Sequence, residues 1–345
     1  MNIIYNDFKL WQKIVKSNDD IDVYYLPEYL KVFENNGDGK SQIAIVYNND
    51  KDFLIFPYFI REIESTQLFD IITPYGYGGA LCKSSTISTE IFYKDFEDYC
   101  INNNIVSEFI RFHLFDSNPK LFNGELKNTN DVVIVDTRKS IDVIEREYNR
   151  SVRKNIRTAI KNEVNVIIDK DFKYLEEFYV IYQETMKKNN ALKYYYFDIN
   201  FFEDIAKYLK NNAILFHSIY QDRIVASELV IYSKYYSYSF LGGSLDEYIH
   251  LRTNNILKHK IIEWSNHNLI KYFILGGGYT KDDGIFRYKK NFSKSDPLNF
   301  YVGKKIIMKN QYFDLLDIFR RKINMSILDF EKVEFFPKYR YKQNN

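Results

Sequence analysis

SFLGGSLDEYIHLRTNNILKHKIIEWSNHNLIKYFILGGG, residues 239–278, is the stretch whose reading decides the fold. It opens on the glycine-bearing end of a strand spanning 235–243 and runs through a connecting segment. A helix over 253–267 and a strand over 271–277 complete it. Gly276, Gly277 and Gly278 close that last strand and read as a tight exit from it. Two further strands, 213–220 and 223–233, precede the stretch in quick succession, so 213–243 reads as a hairpin or meander. Antiparallel strands followed by a helix that crosses to another strand predict a mixed sheet with helices packed on it.

Working outward, the same order of elements occurs earlier in the chain. SQIAIVY (41–47) and DFLIFPYFIREI (52–63) flank the polar turn 48–51 and predict a hairpin. Pro57 places the second strand at an edge or at a bulge. A Tyr/Gly loop around 74–79, a helix over 89–103 and a strand over 107–115 follow. Residue identities do not repeat between the two blocks; the pattern does. The expectation is an α/β (α+β) chain of two tandem mixed-sheet domains. The first covers 1–140, joined by a return of 311–345, and the second covers 141–310. A single long helix over 141–162 is expected to link them, with a strand at 131–137 before it and one at 164–169 after it. Helices are expected at 7–16, 28–35, 174–189, 200–211, 286–291 and 311–322, and a strand at 299–308.

Four segments of the second half resemble the Fem-type peptidoglycan aminoacyltransferases and the related double-GNAT acyltransferases. They are SVRKNIRTAIKNEVNV (151–166), YQETMKKNNALKYYYF (182–197), the opening stretch 239–278, and GIFRYKKNFS (284–293). In the first half, DVYYLPEYLKVF (22–33) and TPYGYGGAL (73–81) are similar to segments of the acyltransferase branch. The resemblance spans nearly the whole chain, and its specificity lies in the order and spacing of the segments. It implies two GNAT-like mixed-sheet domains and an enzyme that moves an activated acyl or aminoacyl group onto an amine. In such a sheet two strands splay and free backbone N–H groups at the gap, so geometry matters more than a side-chain signature.

Candidate site residues follow from that resemblance and from local chemistry. Lys289, in the segment 284–293 with Tyr288 and Phe292, would meet the acyl donor or the developing negative charge; the other reading is a solvated helix lysine. Glu228 stands on an otherwise apolar strand face and would accept the amine proton, unless it is simply an exposed strand position. Tyr75, Tyr77, Gly78 and Gly79 would line a substrate loop, or form a tight turn with packed tyrosines. Arg111 would contact substrate or, with His113, be satisfied structurally. Lys188 and Tyr196 join the substrate-binding set. The segment 251–256 lacks the phosphate-loop glycine of coenzyme A-using GNAT enzymes. Thr253 or Asn254 would cap the helix, and Arg252 with Asn254 would meet a donor phosphate. The donor therefore stays open between acyl-CoA and aminoacyl-tRNA, each a co-substrate and neither a tightly bound cofactor.

Bulk properties narrow the alternatives. Forty-eight basic and 46 acidic residues leave a net charge of +2, which argues against a dedicated DNA binder. Basic residues at 146, 150, 153, 157 and 161 form a stripe that would face tRNA phosphates or an anionic membrane surface, or would simply be solvated. The five histidines lack metal-motif spacing, and no metal is expected. Cys82 and Cys100 form no CxxC pair; with no signal-peptide pattern and no long apolar run, a cytoplasmic protein is expected. The expected function is transfer to an amine of a cell-envelope or surface-glycan precursor, on peptidoglycan or a sugar nucleotide, with amide formation. The alternatives are a Fem-like aminoacyl-tRNA-dependent peptidoglycan bridge transferase specifically, or a non-catalytic glycan-binding two-domain module.

Overall fold

The computed structural model describes residues 1–280 and 282–341. Strand β1 (Ile4–Tyr5) and helices α1 (Phe8–Lys16) and α2 (Pro27–Asn35) come first. The hairpin β2 (Lys40–Asn49) and β3 (Asp52–Glu62) follows, then β4 (Phe69–Ile72), β5 (Leu81–Lys83), α3 (Thr89–Asn102) and β6 (Ile105–Arg111). Next are β7 (Glu125–Asp136), α4 (Ile141–Glu147), α5 (Arg150–Lys161), β8 (Asn165–Asp169), α6 (Leu175–Lys188) and α7 (Ile199–Tyr208). The meander β9 (Ala213–Tyr220), β10 (Arg223–Tyr232) and β11 (Tyr236–Ser244) leads to α8 (Thr253–His267), β12 (Tyr272–Gly276) and α9 (Gly284–Lys290). The chain then forms β13 (Leu298–Ile306), α10 (Lys309–Lys322) and α11 (Ile327–Glu331).

Two compact units result. One contains Met1–Asn18, Gly37–Thr129 and the chain from Phe300 onward; the other contains Asp19–Asn36 and Asn130–Asn299. Of the expected return 311–345, residues 342–345 lie outside the described residues. In the first unit the strand order is β1-β2-β3-β4-β6-β13, with β5 also on β3. In the second it is β7-β12-β11-β10-β9-β8. Each unit has an antiparallel hairpin and one helix crossing to a parallel neighbour: α3 carries β4 to β6, and α8 carries β11 to β12. The first core is dominated by rings, with Phe56, Phe92 and Phe96 packed on one another. In the second, α8 buries Ile256, Leu257, Ile261 and Ile262 against Phe216, Val230 and Phe273.

Several expectations are corrected. The single helix over 141–162 is two helices. Tyr148 is extended (φ −60°, ψ 145°), and the Asn149 side chain accepts from Ser151 N–H to start α5 anew. β3 is an interior strand with no bulge at Pro57, yet one side of it is locally open there. Pro57 pairs with Ile43 on one side; on the other it falls between the stretch Phe53–Ile55 on β5 and the stretch from Phe59 on β4, where no ladder N–H is needed. The strand expected over 107–115 ends at Arg111, because His113 Nδ1 accepts from the N–H groups of Phe115 and Asp116 and turns the chain. The aromatic tail packs in the first unit, where Tyr339 is buried with its hydroxyl 2.7 Å from Ser107 Oγ.

Candidate active site

In the second unit β11 and β12 pair in parallel over only three residues, Tyr236–Tyr238 against Tyr272–Ile274. Beyond that point β11 continues on β10 to Ser244, and β12 continues on β7 to Gly276. Both strands carry an extra residue where they part. Val230 and Leu229 of β10 face Ser239 and Leu241, leaving Phe240 over; Ile134 and Val133 of β7 face Ile274 and Gly276, leaving Leu275 over. A bulge bends and twists its strand. Two bulges at one level on neighbouring strands turn them apart and open a gap in the sheet.

Charged and polar side chains gather at this gap. Glu228, on β10, is buried, and both its carboxylate oxygens accept from the Lys258 ammonium of α8, which also donates to Ser239 Oγ at 2.5 Å. Ser239 is the first residue of β11 past the pairing with β12. Lys289, on α9, donates to the Gly277 carbonyl at 2.7 Å, and a Cβ on Gly276 would lie 3.2 Å from its Nζ. Its ammonium therefore sits where β12 leaves the gap. Burial, then the like charge of Lys258, push Lys289 down to about 8; Glu228 and Asp283 oppose the shift. Tyr288 Oη is buried with no hydrogen-bond partner among the described residues. Burial, then Glu228, hold that phenol well above its ordinary range, so it remains a proton donor. The start of α9 is fixed by Asp283, whose carboxylate accepts from Phe286, Tyr279 and Thr280 N–H.

Glu228, Tyr288 and Lys289 are thus brought together. Phe292 has 0% exposure and packs against Tyr148 and Tyr288, so it supports the site from the core. Asn254 lies at the start of α8 and donates to Ser244 Oγ at the end of β11, 3.0 Å away. Neither Thr253 nor Asn254 caps that helix. Arg252 holds the capping position with φ +63°, in the left-handed region, and no side chain caps it. The arginine thus adopts the backbone turn that glycine favours, and it is exposed. Lys188 pairs with Asp246, just past β11, and Tyr196 donates to the Met186 carbonyl. The remaining candidates belong to the first unit. There Tyr77 packs edge-on to Phe300 and His113, and Arg111 donates to the Thr73 carbonyl. Gly79 has φ +85°, and a Cβ there would lie 2.9 Å from the Phe112 ring. Gly78 has less than ordinary clearance to Thr73, and Tyr75 is half-buried. Packing accounts for the two glycines.

Lys258 escaped the sequence reading. Its only signal was a lysine next to the apolar run Ile256–Leu257 on a helix that buries Ile261 and Ile262 as well, opposite a strand face with a lone carboxylate.

Residues 146–290 match the family model described as an acetyltransferase (GNAT) domain. No curated protein matches the sequence. Among solved structures, FemX superposes with a TM-score of 0.67 at 12% identity, over 90% of this chain and 99% of that one. L-PGS from Bacillus licheniformis gives 0.54 at 14% identity, over 92% and 96%. A conserved protein of unknown function from Bacteroides thetaiotaomicron gives 0.56 at 10%, over 88% and 100%. Residues 146–290 are therefore a GNAT acyltransferase domain, and the chain around them has the two-unit fold shared with FemX.

Proposed function

We propose that this acyltransferase joins an activated acyl or aminoacyl group to an amine of a cell-envelope or surface-glycan precursor, with the chemistry at the parted strands of the second unit. The observation that carries the reading is the double bulge, which opens β11 from β12 beside Lys289, Glu228 and Lys258. The donor carbonyl enters the gap. The acceptor nitrogen attacks it, the new C–N bond forms, and the bond to the donor's thiol or ribose oxygen breaks. Glu228, directly or through water, takes the amine proton, and the leaving group is protonated as it departs. Lys289 and the unpartnered Tyr288 hydroxyl face the oxyanion that develops. Arg252 and Asn254, at the start of α8, meet the donor's phosphate. The resemblance to Fem-type enzymes supports an aminoacyl donor and a peptidoglycan acceptor; the exposed Arg252 equally suits acyl-CoA.

The test incubates purified protein with labelled acyl-CoA or aminoacyl-tRNA and a panel of amino sugars and stem peptides, with mass spectrometry for a new amide. The expected result is one productive donor and a Lys289→Ala variant with kcat lower by about 10²–10³-fold, the usual loss of an oxyanion contact, with donor binding retained. Absence of amide with every donor, or an undiminished Lys289→Ala variant, overturns the assignment.

A further inference from the structure

We infer that Glu145, His259 and Glu263 form a binding site for a divalent transition-metal ion, distinct from the acyl-transfer gap. His259 and Glu263 stand four residues apart on α8 and so share one helical face, and Glu145 reaches them from α4. His259 Nε2 lies 3.2 Å from Glu263 Oε1 and 3.5 Å from Glu145 Oε1. One ligand atom from each residue falls within 4.8 Å of the other two. For zinc bonded to nitrogen and oxygen at about 2.0–2.2 Å, the edges of a tetrahedron are roughly 3.3–3.5 Å, so the two nitrogen–oxygen separations already match a shared ion.

The surrounding contacts are those that hold ligands in place. His259 Nδ1 lies 3.3 Å from Tyr148 Oη, an outer partner that would fix the ring and, with the proton on Nδ1, turn the Nε2 lone pair toward an ion held between the two carboxylates. Glu263 Oε2 accepts from Lys260, leaving Oε1 for the ion. The break between α4 and α5 serves the arrangement, since Glu145 and Tyr148 both come from the end of α4 and reach the same imidazole. The Glu145 side chain is 46% exposed, which gives an ion a path in and water as its fourth ligand. One imidazole and two carboxylates suit Zn²⁺, with Mn²⁺ the harder alternative. No linear motif announces the site, because its third ligand is 114 residues from the histidine.

Full-length protein stripped with a chelator and titrated with Zn²⁺ against a chromophoric competitor tests this. The wild type is expected to take up one equivalent. Tyr148→Phe, which keeps the ring, is expected to weaken binding about 10–100-fold, the usual effect of losing a ligand's outer partner. Glu145→Gln, at a half-exposed position that leaves the core intact, is expected to weaken it further, as is His259→Ala. A Mn²⁺ titration ranks the two ions. No stoichiometric uptake of either ion, or uptake unchanged in Glu145→Gln and Tyr148→Phe, overturns the inference.

Discussion

Lys289 carries the residue-scale argument. Its ammonium is desolvated beside a second lysine, and its pKa of about 8 places the loss of charge within reach of a rate profile. If it stabilises an oxyanion, it works as the cation. The wild-type kcat is then expected to fall as pH rises through about 8. Lys289→Arg keeps a positive charge over the whole accessible range, so its alkaline limb should move out of range even if its rate is lower. The acceptor amine must lose a proton and contributes the same rising limb to both enzymes, so the comparison isolates residue 289. Superimposable alkaline limbs would show that Lys289 does not act as a cation. Lys289 and Glu228 were legible in the sequence, one from a family-like segment and the other from a carboxylate on an apolar strand face. Their relation to Lys258 was not, because nothing local records that α8 lies across β10 with that lysine aimed at that carboxylate.

At the scale of elements, the gap depends on where β11 runs. Gly243 lets β11 lie against α6: a Cβ there would fall 1.9 Å from Thr185 Oγ1 and 3.0 Å from the Ile181 carbonyl. Gly243→Ala should push β11 off α6 and cost about 1–3 kcal/mol, as overpacking does. Adding Thr185→Ala should recover part of that loss, since it removes the hydroxyl and leaves the contacts with the Cβ of residue 185 at 2.8 Å and with the Ile181 carbonyl. Thermal melts of the two variants measure both effects. Melts equal to wild type would mean that α6 is not seated on β11 as described. Most strands and helices were legible from period and turn chemistry, including α8 with both its ends. The bulges were not. They arise from how many residues each of two paired strands spends over the same span, and one strand's sequence does not state its partner's register. The short β4 and β5 were hidden for a related reason: they pair with β3, and their own sequences are too brief to show alternation.

For the whole molecule, the unit that bears the gap is discontinuous. The segment matched as a GNAT domain, 146–290, omits residues that complete its core. Residues 19–36 belong to the second unit, where α2 buries Tyr29, Leu30, Val32 and Phe33 and stacks Phe33 edge-on against Phe201 of α7. Just before α2, Asp22 is fully buried and accepts from Ser233 Oγ at 2.7 Å and from Tyr238 Oη at 3.1 Å. Tyr238 is the last residue of β11 paired with β12, so this segment braces the point from which the strands part. Without it, two buried hydroxyls lose their hydrogen-bond acceptor, and the apolar surface under α2 faces water. Nothing in 19–36 marks it as part of a later domain, since its amphipathic pattern would suit either sheet. A fragment of residues 130–299 is therefore expected to melt without a cooperative transition, or to aggregate. Joining 19–36 to it through a flexible Gly/Ser linker is expected to restore a single cooperative transition by circular dichroism. Cooperative unfolding of 130–299 alone, at the midpoint of the joined fragment, would show that residues 19–36 only decorate a domain that is complete without them.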